Sequence, residues 1–160
     1  MARLPAREPD EVIEAARQSG FFRVLANAPE IAQTLQAHLD TVMGEGRVPR
    51  RLKELCAVLV SALNQCEYCL TARREEAERL GVEPAVLREL HDYARSNNYS
   101  DAEKAALAAT IALTREPRAL PVNLWEDMRA HFDAAQIVEL LAVVGLFNDL
   151  NRLNNALEIG

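Results

Sequence analysis

Cys66 and Cys69 stand three residues apart in the stretch "NQCEYCLTARREEAERLGV", Asn64 to Val82. A three-residue step turns a helix by about 300°, so this spacing puts both sulfurs on one helical face. A helix start offers unpaired N–H groups and the positive end of a dipole, and both favour thiolate. Thiolate is the species that attacks peroxides and disulfides, and a pair so placed closes to a disulfide by small adjustments. Competing uses meet obstacles. A zinc site needs two further ligands, yet Cys56, His38, His91 and His131 are scattered along the chain. Haem attachment needs a histidine directly after Cys69, where Leu70 stands. A thioredoxin-like site needs a βαβ frame that the sequence lacks. The plain alternative is two small side chains packed inside a bundle. Neither a metal nor a cofactor is expected.

The elements that must position this pair are helices. Proline, glycine and capping residues divide the chain into about eight segments. Asp10 can cap a short N-terminal extension helix within residues 1–20. Pro29 opens "PEIAQTLQAHLDTVM", with Ile31, Leu35, Leu39 and Val42 on one stripe, and "GEG" ends it. Pro49 opens "PRRLKELCAVLVSALNQ", whose later part is apolar almost all round and therefore reads as buried. The cysteine helix closes at Gly81, and Pro84 starts another that reaches about Arg95. Ser100 and Glu103 form a capping box, Pro121 opens "PVNLWEDMRAHF", and Asp133 caps the last and longest helix. No stretch alternates long enough to be a strand. The expectation is one all-α domain over residues 1–160. One internal echo, "ELCAV" at Glu54 to Val58 and "ELLAV" at Glu139 to Val143, would fit a duplicated helix pair.

Bulk properties narrow the function. A chain of 160 residues can bury a continuous core. Its net charge of −6 argues against nucleic-acid binding, which needs a clustered positive face. The N-terminus shows no apolar leader, and the apolar stretches read as broken by charge before membrane-spanning length. A cytoplasmic protein is expected, and in that reducing compartment three cysteines are not a disulfide framework.

The segment from Glu54 through Arg73, a Glu followed twelve residues on by C-E-Y-C and then by Arg four residues past Cys69, resembles the signature of the carboxymuconolactone decarboxylase superfamily. Within it the likeness is to the AhpD-like alkylhydroperoxidase and peroxidase-related branch. "LTREP" at Leu113 to Pro117 and "FNDLNRLNNAL" at Phe147 to Leu157 add to it, so that it covers most of the chain from about Phe21. The resemblance implies an AhpD-like helical bundle assembled as trimers or hexamers. It implies reduction of hydroperoxides, or exchange of disulfides, with a thioredoxin- or lipoyl-type reductant. By position Cys69 would become the sulfenic acid, Cys66 would resolve it, and Glu54 would feed a proton relay. The helix dipole taken alone favours Cys66 as the more acidic thiol.

Two departures stand out. Arg73 replaces the relay histidine, and Tyr68 stands where some members carry a second one. Arginine cannot shuttle protons near neutral pH. By composition Arg73 belongs to the charged run "RREEAER" and could face solvent. If the two helices turn near Leu63 to Gln65, however, Glu54 and Arg73 oppose each other and can pair, and a fixed cation there would favour thiolate. The expected function is a dithiol oxidoreductase with an altered relay. A lactone decarboxylase or isomerase, and a non-enzymatic redox scaffold, are the alternatives. The long apolar last helix further predicts self-association.

Overall fold

Proline and capping residues set the helix ends. The computed structural model describes residues 2–7, 19–116 and 118–160, and the expected Asp10-capped helix lies outside them. Eight α-helices are present among the described residues, and no strand is. They are α1 (Gly20–Leu25), α2 (Pro29–Met43), α3 (Arg50–Leu63), α4 (Glu67–Arg79), α5 (Pro84–Glu89), α6 (Asp101–Arg115), α7 (Val122–His131) and α8 (Ala134–Leu157). Both predicted caps of the second half are made. Ser100 Oγ accepts from Glu103 N while Glu103 bonds back to Ser100 N, and Asp133 with Gln136 does the same for α8. The helix from Pro84 is shorter than expected: it tightens into a 3-10 turn over Leu90–Asp92 and gives way to turns before Arg95.

Helix α3 is the axis of the core. Every residue from Leu52 to Ser61 is buried, as its apolar periphery predicts, and it packs on α4, α6 and α8. The stripe read on α2 packs on the core through Leu35, Leu39 and Val42, and only Ile31 is left out of it. Ala32, Gln36, Val42 and Met43 face inward, Leu35 and Leu39 are half-buried, and Ile31 is exposed. Trp125 is 40% exposed. Helix α8 has the length and apolar composition to cross a membrane, contrary to the expectation that charges interrupt it. Its inward face, with Ile137, Leu140, Val143 and Phe147, closes the core instead.

The echo falls on α3 and α8, two helices in contact. Its carboxylates are each held by a cation. Glu54 pairs with Arg73, and Glu139 pairs with Lys53, which is 1% exposed. Lys53 Nζ also donates to Val42 O at 2.9 Å and Gly44 O at 2.8 Å, while Glu139 Oε2 accepts from Arg47 N at 2.9 Å. A buried ammonium satisfied in this way ties the α2–α3 loop to α8.

Candidate active site

The turn from α3 to α4 delivers the dithiol. Cys66 N donates to Ser61 O at 3.0 Å and Gln65 N to Ala62 O at 3.1 Å, with Gln65 left-handed at φ 54°. This is a Schellman closure carried by glutamine where glycine is usual. It stops α3 and makes Cys66 the N-cap of α4, so Cys69 lies at its third helical position. The Cys66 sulfur makes no capping bond.

Burial separates the two sulfurs. Cys66 is 0% exposed and Cys69 is 9% exposed. Cys69 stands in the wall of a cavity of roughly 600 Å³, and Cys66 does not line it. Phe21, Phe22, Leu39, Phe147 and Leu150 form its apolar side, and Tyr68, Arg73 and Arg79 are among its polar lining. All three cysteines are free thiols.

A helix start was expected to favour thiolate at both positions. At Cys69 burial wins: desolvation first, then the hydrogen bond and charge shared with Cys66, push its thiol up to about 12. The Asn151 amide and the Arg73 charge pull the other way and are weaker. Cys56, inside the core, is likewise pushed up by burial to about 12, against a weaker lowering by Thr110.

The pairing expected across the hairpin is present. Arg73 Nη1 donates to Glu54 Oε1 at 3.3 Å, with Glu54 1% and Arg73 23% exposed. The guanidinium carbon also lies 5.7 Å from the Phe147 ring centroid, within cation–π range. Burial raises the Glu54 pKa above the ordinary carboxylate value, against the lowering charges of Arg73, Arg50 and Arg79. Glu54 Oε2 is buried without a hydrogen-bond partner. Beside this pair, Glu76 accepts from Arg50 at 2.9 Å and from Arg79, a second link between α3 and α4.

Tyr68 borders the same cavity as Cys69. Its Oη meets Ser19 Oγ at 3.2 Å and accepts from Phe21 N at 3.5 Å, tying the start of α1 over the cavity. His38 and His131 are exposed. Sequence reasoning missed the asparagines that back the turn. Asn64 Nδ2 donates to Asn148 Oδ1 at 3.0 Å and Asn151 Oδ1 at 3.1 Å, and Asn155 Nδ2 donates to Asn64 O at 2.9 Å. Their spacing on α8, three and then four residues, is a one-face pattern and was the available signal.

Known proteins agree with this fold. The chain belongs to the Carboxymuconolactone decarboxylase family, whose sequence profile matches residues 29–112. It is 28% identical over 131 residues to the uncharacterised protein YdfG of Bacillus subtilis (strain 168), spanning 81% of this chain and 88% of that one. Among solved structures, an uncharacterised peroxidase-related protein with an AhpD core from Ralstonia eutropha JMP134 superposes with a TM-score of 0.85 at 21% identity. That match covers 99% of this chain and 91% of the other. The debrominase Bmp8 gives 0.84 at 21% identity over 95% and 84% of the two chains. The fold is AhpD-like.

Proposed function

We propose that this protein is a dithiol oxidoreductase that reduces organic hydroperoxides or exchanges disulfides, with Cys69 attacking and Cys66 resolving. The observation that carries the reading is the difference in access: Cys69 borders the cavity, and Cys66, three residues before it at the start of α4, is fully buried. The Cys69 thiolate attacks the distal oxygen of a hydroperoxide and the O–O bond breaks. The leaving alkoxide takes a proton and departs as alcohol, leaving Cys69 as sulfenic acid. Cys66 then attacks that sulfur, water leaves, and a disulfide joins the two. A dithiol reductant of thioredoxin or lipoyl type returns two electrons and two protons.

Arg73 holds a fixed positive charge beside the reacting sulfur and cannot carry its proton. Glu54, with a raised pKa and a free buried oxygen, is the group suited to accept it. The activity is therefore expected to be slow near neutral pH.

The aromatic cavity wall favours one variant of the same chemistry. A solved relative is the debrominase Bmp8, one structure of which holds 2,3,4-tribromopyrrole. For a brominated arene, the Cys69 thiolate would take bromine from carbon, the ring carbon would take a proton, and Cys66 would displace bromide to form the disulfide. A lactone decarboxylase gives the pair no task and is the weaker alternative.

Self-association is also proposed, as a trimer or hexamer. Val138, Leu141, Ala142 and Gly145 present an apolar strip on the outer face of α8, beside a groove of roughly 330 Å³ that also includes Leu113. A monomer at all concentrations in light scattering would contradict this.

Turnover of cumene hydroperoxide with dithiothreitol, compared among the parent, Cys66→Ser and Cys69→Ser, tests the main reading. Turnover in the parent alone supports it. Equal rates in all three would remove the dithiol from the reaction, and bromide release from a brominated pyrrole without peroxide turnover would select the variant.

A further inference from the structure

The cavity beside Cys69 has two chemically different walls. Phe21, Phe22, Leu39, Phe147 and Leu150 make one side apolar, and Arg73 and Arg79 stand on the other. Arg73 is the deeper of the two, 23% exposed against 78% for Arg79. A volume of roughly 600 Å³ is that of a site enclosing a small organic molecule, far more than a peroxide group alone would fill. The body of the substrate has to occupy the rest.

Arg73 offers that body more than the protein itself uses. A guanidinium carries five N–H donors in one plane. Among the described residues one atom of it is engaged: Nη1 donates to Glu54 Oε1, at a long 3.3 Å and without the two-pronged pairing that arginine and carboxylate favour. Phe147 lies against the guanidinium with its ring centroid 5.7 Å from the central carbon. Such a contact covers the face of the group and leaves its in-plane N–H edge open. Arg73 follows Cys69 by four residues on α4, one turn further along the same face and about 6 Å along the axis. One compact molecule can therefore reach the sulfur and the guanidinium together.

The other charges nearby are matched or lie at the rim. Glu76 is held between Arg50 and Arg79, and Glu75 is exposed. Among the described residues α1, α2 and α8 bring no charged side chain to the cavity. Glu54 is the carboxylate paired with Arg73, and burial, which raises its pKa, weakens its hold on the cation. A half-buried cation with open donors, set opposite an apolar wall, suits an anion, and a planar carboxylate matches its fork.

We propose that this cavity selects organic hydroperoxides that also carry a carboxylate, with Arg73 receiving the carboxylate on its open N–H edge while the apolar wall receives the body and Cys69 meets the peroxide. The inference rests on the dithiol reading and names its substrate class, the hydroperoxides of apolar carboxylic acids. Arg73 is then the residue that determines specificity.

The test uses two unreactive probes of equal shape, hydrocinnamate and its uncharged amide, hydrocinnamamide. Each is titrated against the full chain near neutral pH while iodoacetamide alkylation of the Cys69 peptide is followed by mass spectrometry. Protection is read as the rate with probe over the rate without it in the same protein, so a change in the thiol's own reactivity cancels. In the parent, the carboxylate is expected to protect Cys69 with a Kd at least about tenfold below that of the amide. In Arg73→Gln the two probes should protect equally. Should that variant not fold, the double variant Glu54→Gln with Arg73→Gln, which removes both partners of the buried pair, should show the same loss of preference. Equal protection by both probes in the parent, protection by neither, or a preference that survives without Arg73 overturns the proposal. Neither probe is a hydroperoxide, so selective binding without peroxide turnover would sink only the proposed activity. Turnover of cumene hydroperoxide without selective binding would sink only this inference.

Discussion

The Arg73 guanidinium lies 3.3 Å from the Glu54 carboxylate, across a hairpin whose two helices meet at a left-handed Gln65. The pair is unequal in depth: Glu54 is sealed in the core, and Arg73 keeps one side toward the cavity. That inequality decides what each partner's removal costs.

Arg73→Ala strands a buried carboxylate and is expected to cost about 3 kcal/mol at neutral pH. Glu54→Gln removes the buried charge itself and leaves a half-buried arginine able to reach water, costing about 1 kcal/mol. Burial in the folded state raises the Glu54 pKa, so folding shifts this carboxyl toward its neutral form relative to the unfolded chain. The stability tied to that form is full below the ordinary carboxylate range and is lost as pH rises through the raised value. The Arg73→Ala penalty should therefore shrink toward acid pH. Urea unfolding of both variants at two pH values measures this; equal penalties, or the reverse ranking, would contradict it.

Cys69 reactivity should climb steeply with pH. A thiol pushed up to about 12 is a small fraction thiolate at neutrality. Its alkylation rate is expected to rise about tenfold per pH unit toward pH 10 without levelling. Arg73→Ala removes a charge that lowers the pKa and should slow the reaction further. A plateau below about pH 9 would mean that burial does not control this sulfur.

Arg73→His tests what the missing relay costs. A histidine at this position stands beside Glu54 and titrates near neutrality. Peroxide turnover should increase and acquire a pH dependence near the histidine range that the parent lacks. If turnover does not change, proton transfer is not the limiting step.

Gly46→Ala probes the second buried pair. A Cβ there would come within 3.0 Å of Lys53 Nζ and closer still to the Glu139 carboxylate. Displacing two satisfied charges is expected to cost about 1–3 kcal/mol, seen as a lower thermal midpoint. An unchanged midpoint would show that the loop yields freely.

Most of this fold was legible from local signals. Pro29 and Pro84 mark first turns, Ser100 and Asp133 carry their caps, and the apolar run of α3 reads as buried because it is. The Glu54–Arg73 pair followed from counting equally away from one turn. The α2 stripe gave Leu35, Leu39 and Val42 correctly but not Ile31, which is exposed while small Ala32 and polar Gln36 are buried, because the packed neighbours decide which position is covered. The protonated state of Cys69 was illegible for a similar reason. A helix start argues for thiolate, and only the packed neighbours reveal that burial outweighs it. Likewise the asparagines of α8 gain meaning only where α8 crosses the α3–α4 turn.

The most direct measurement is a peptide map after one equivalent of organic hydroperoxide at alkaline pH, followed by alkylation of the remaining thiols. One Cys66–Cys69 disulfide per peroxide consumed is expected, with Cys56 alkylated only after unfolding, and a trapped Cys69 sulfenic acid in Cys66→Ser. Oxidation first at Cys56, or peroxide left intact beside a fully reduced Cys66 and Cys69, would contradict it.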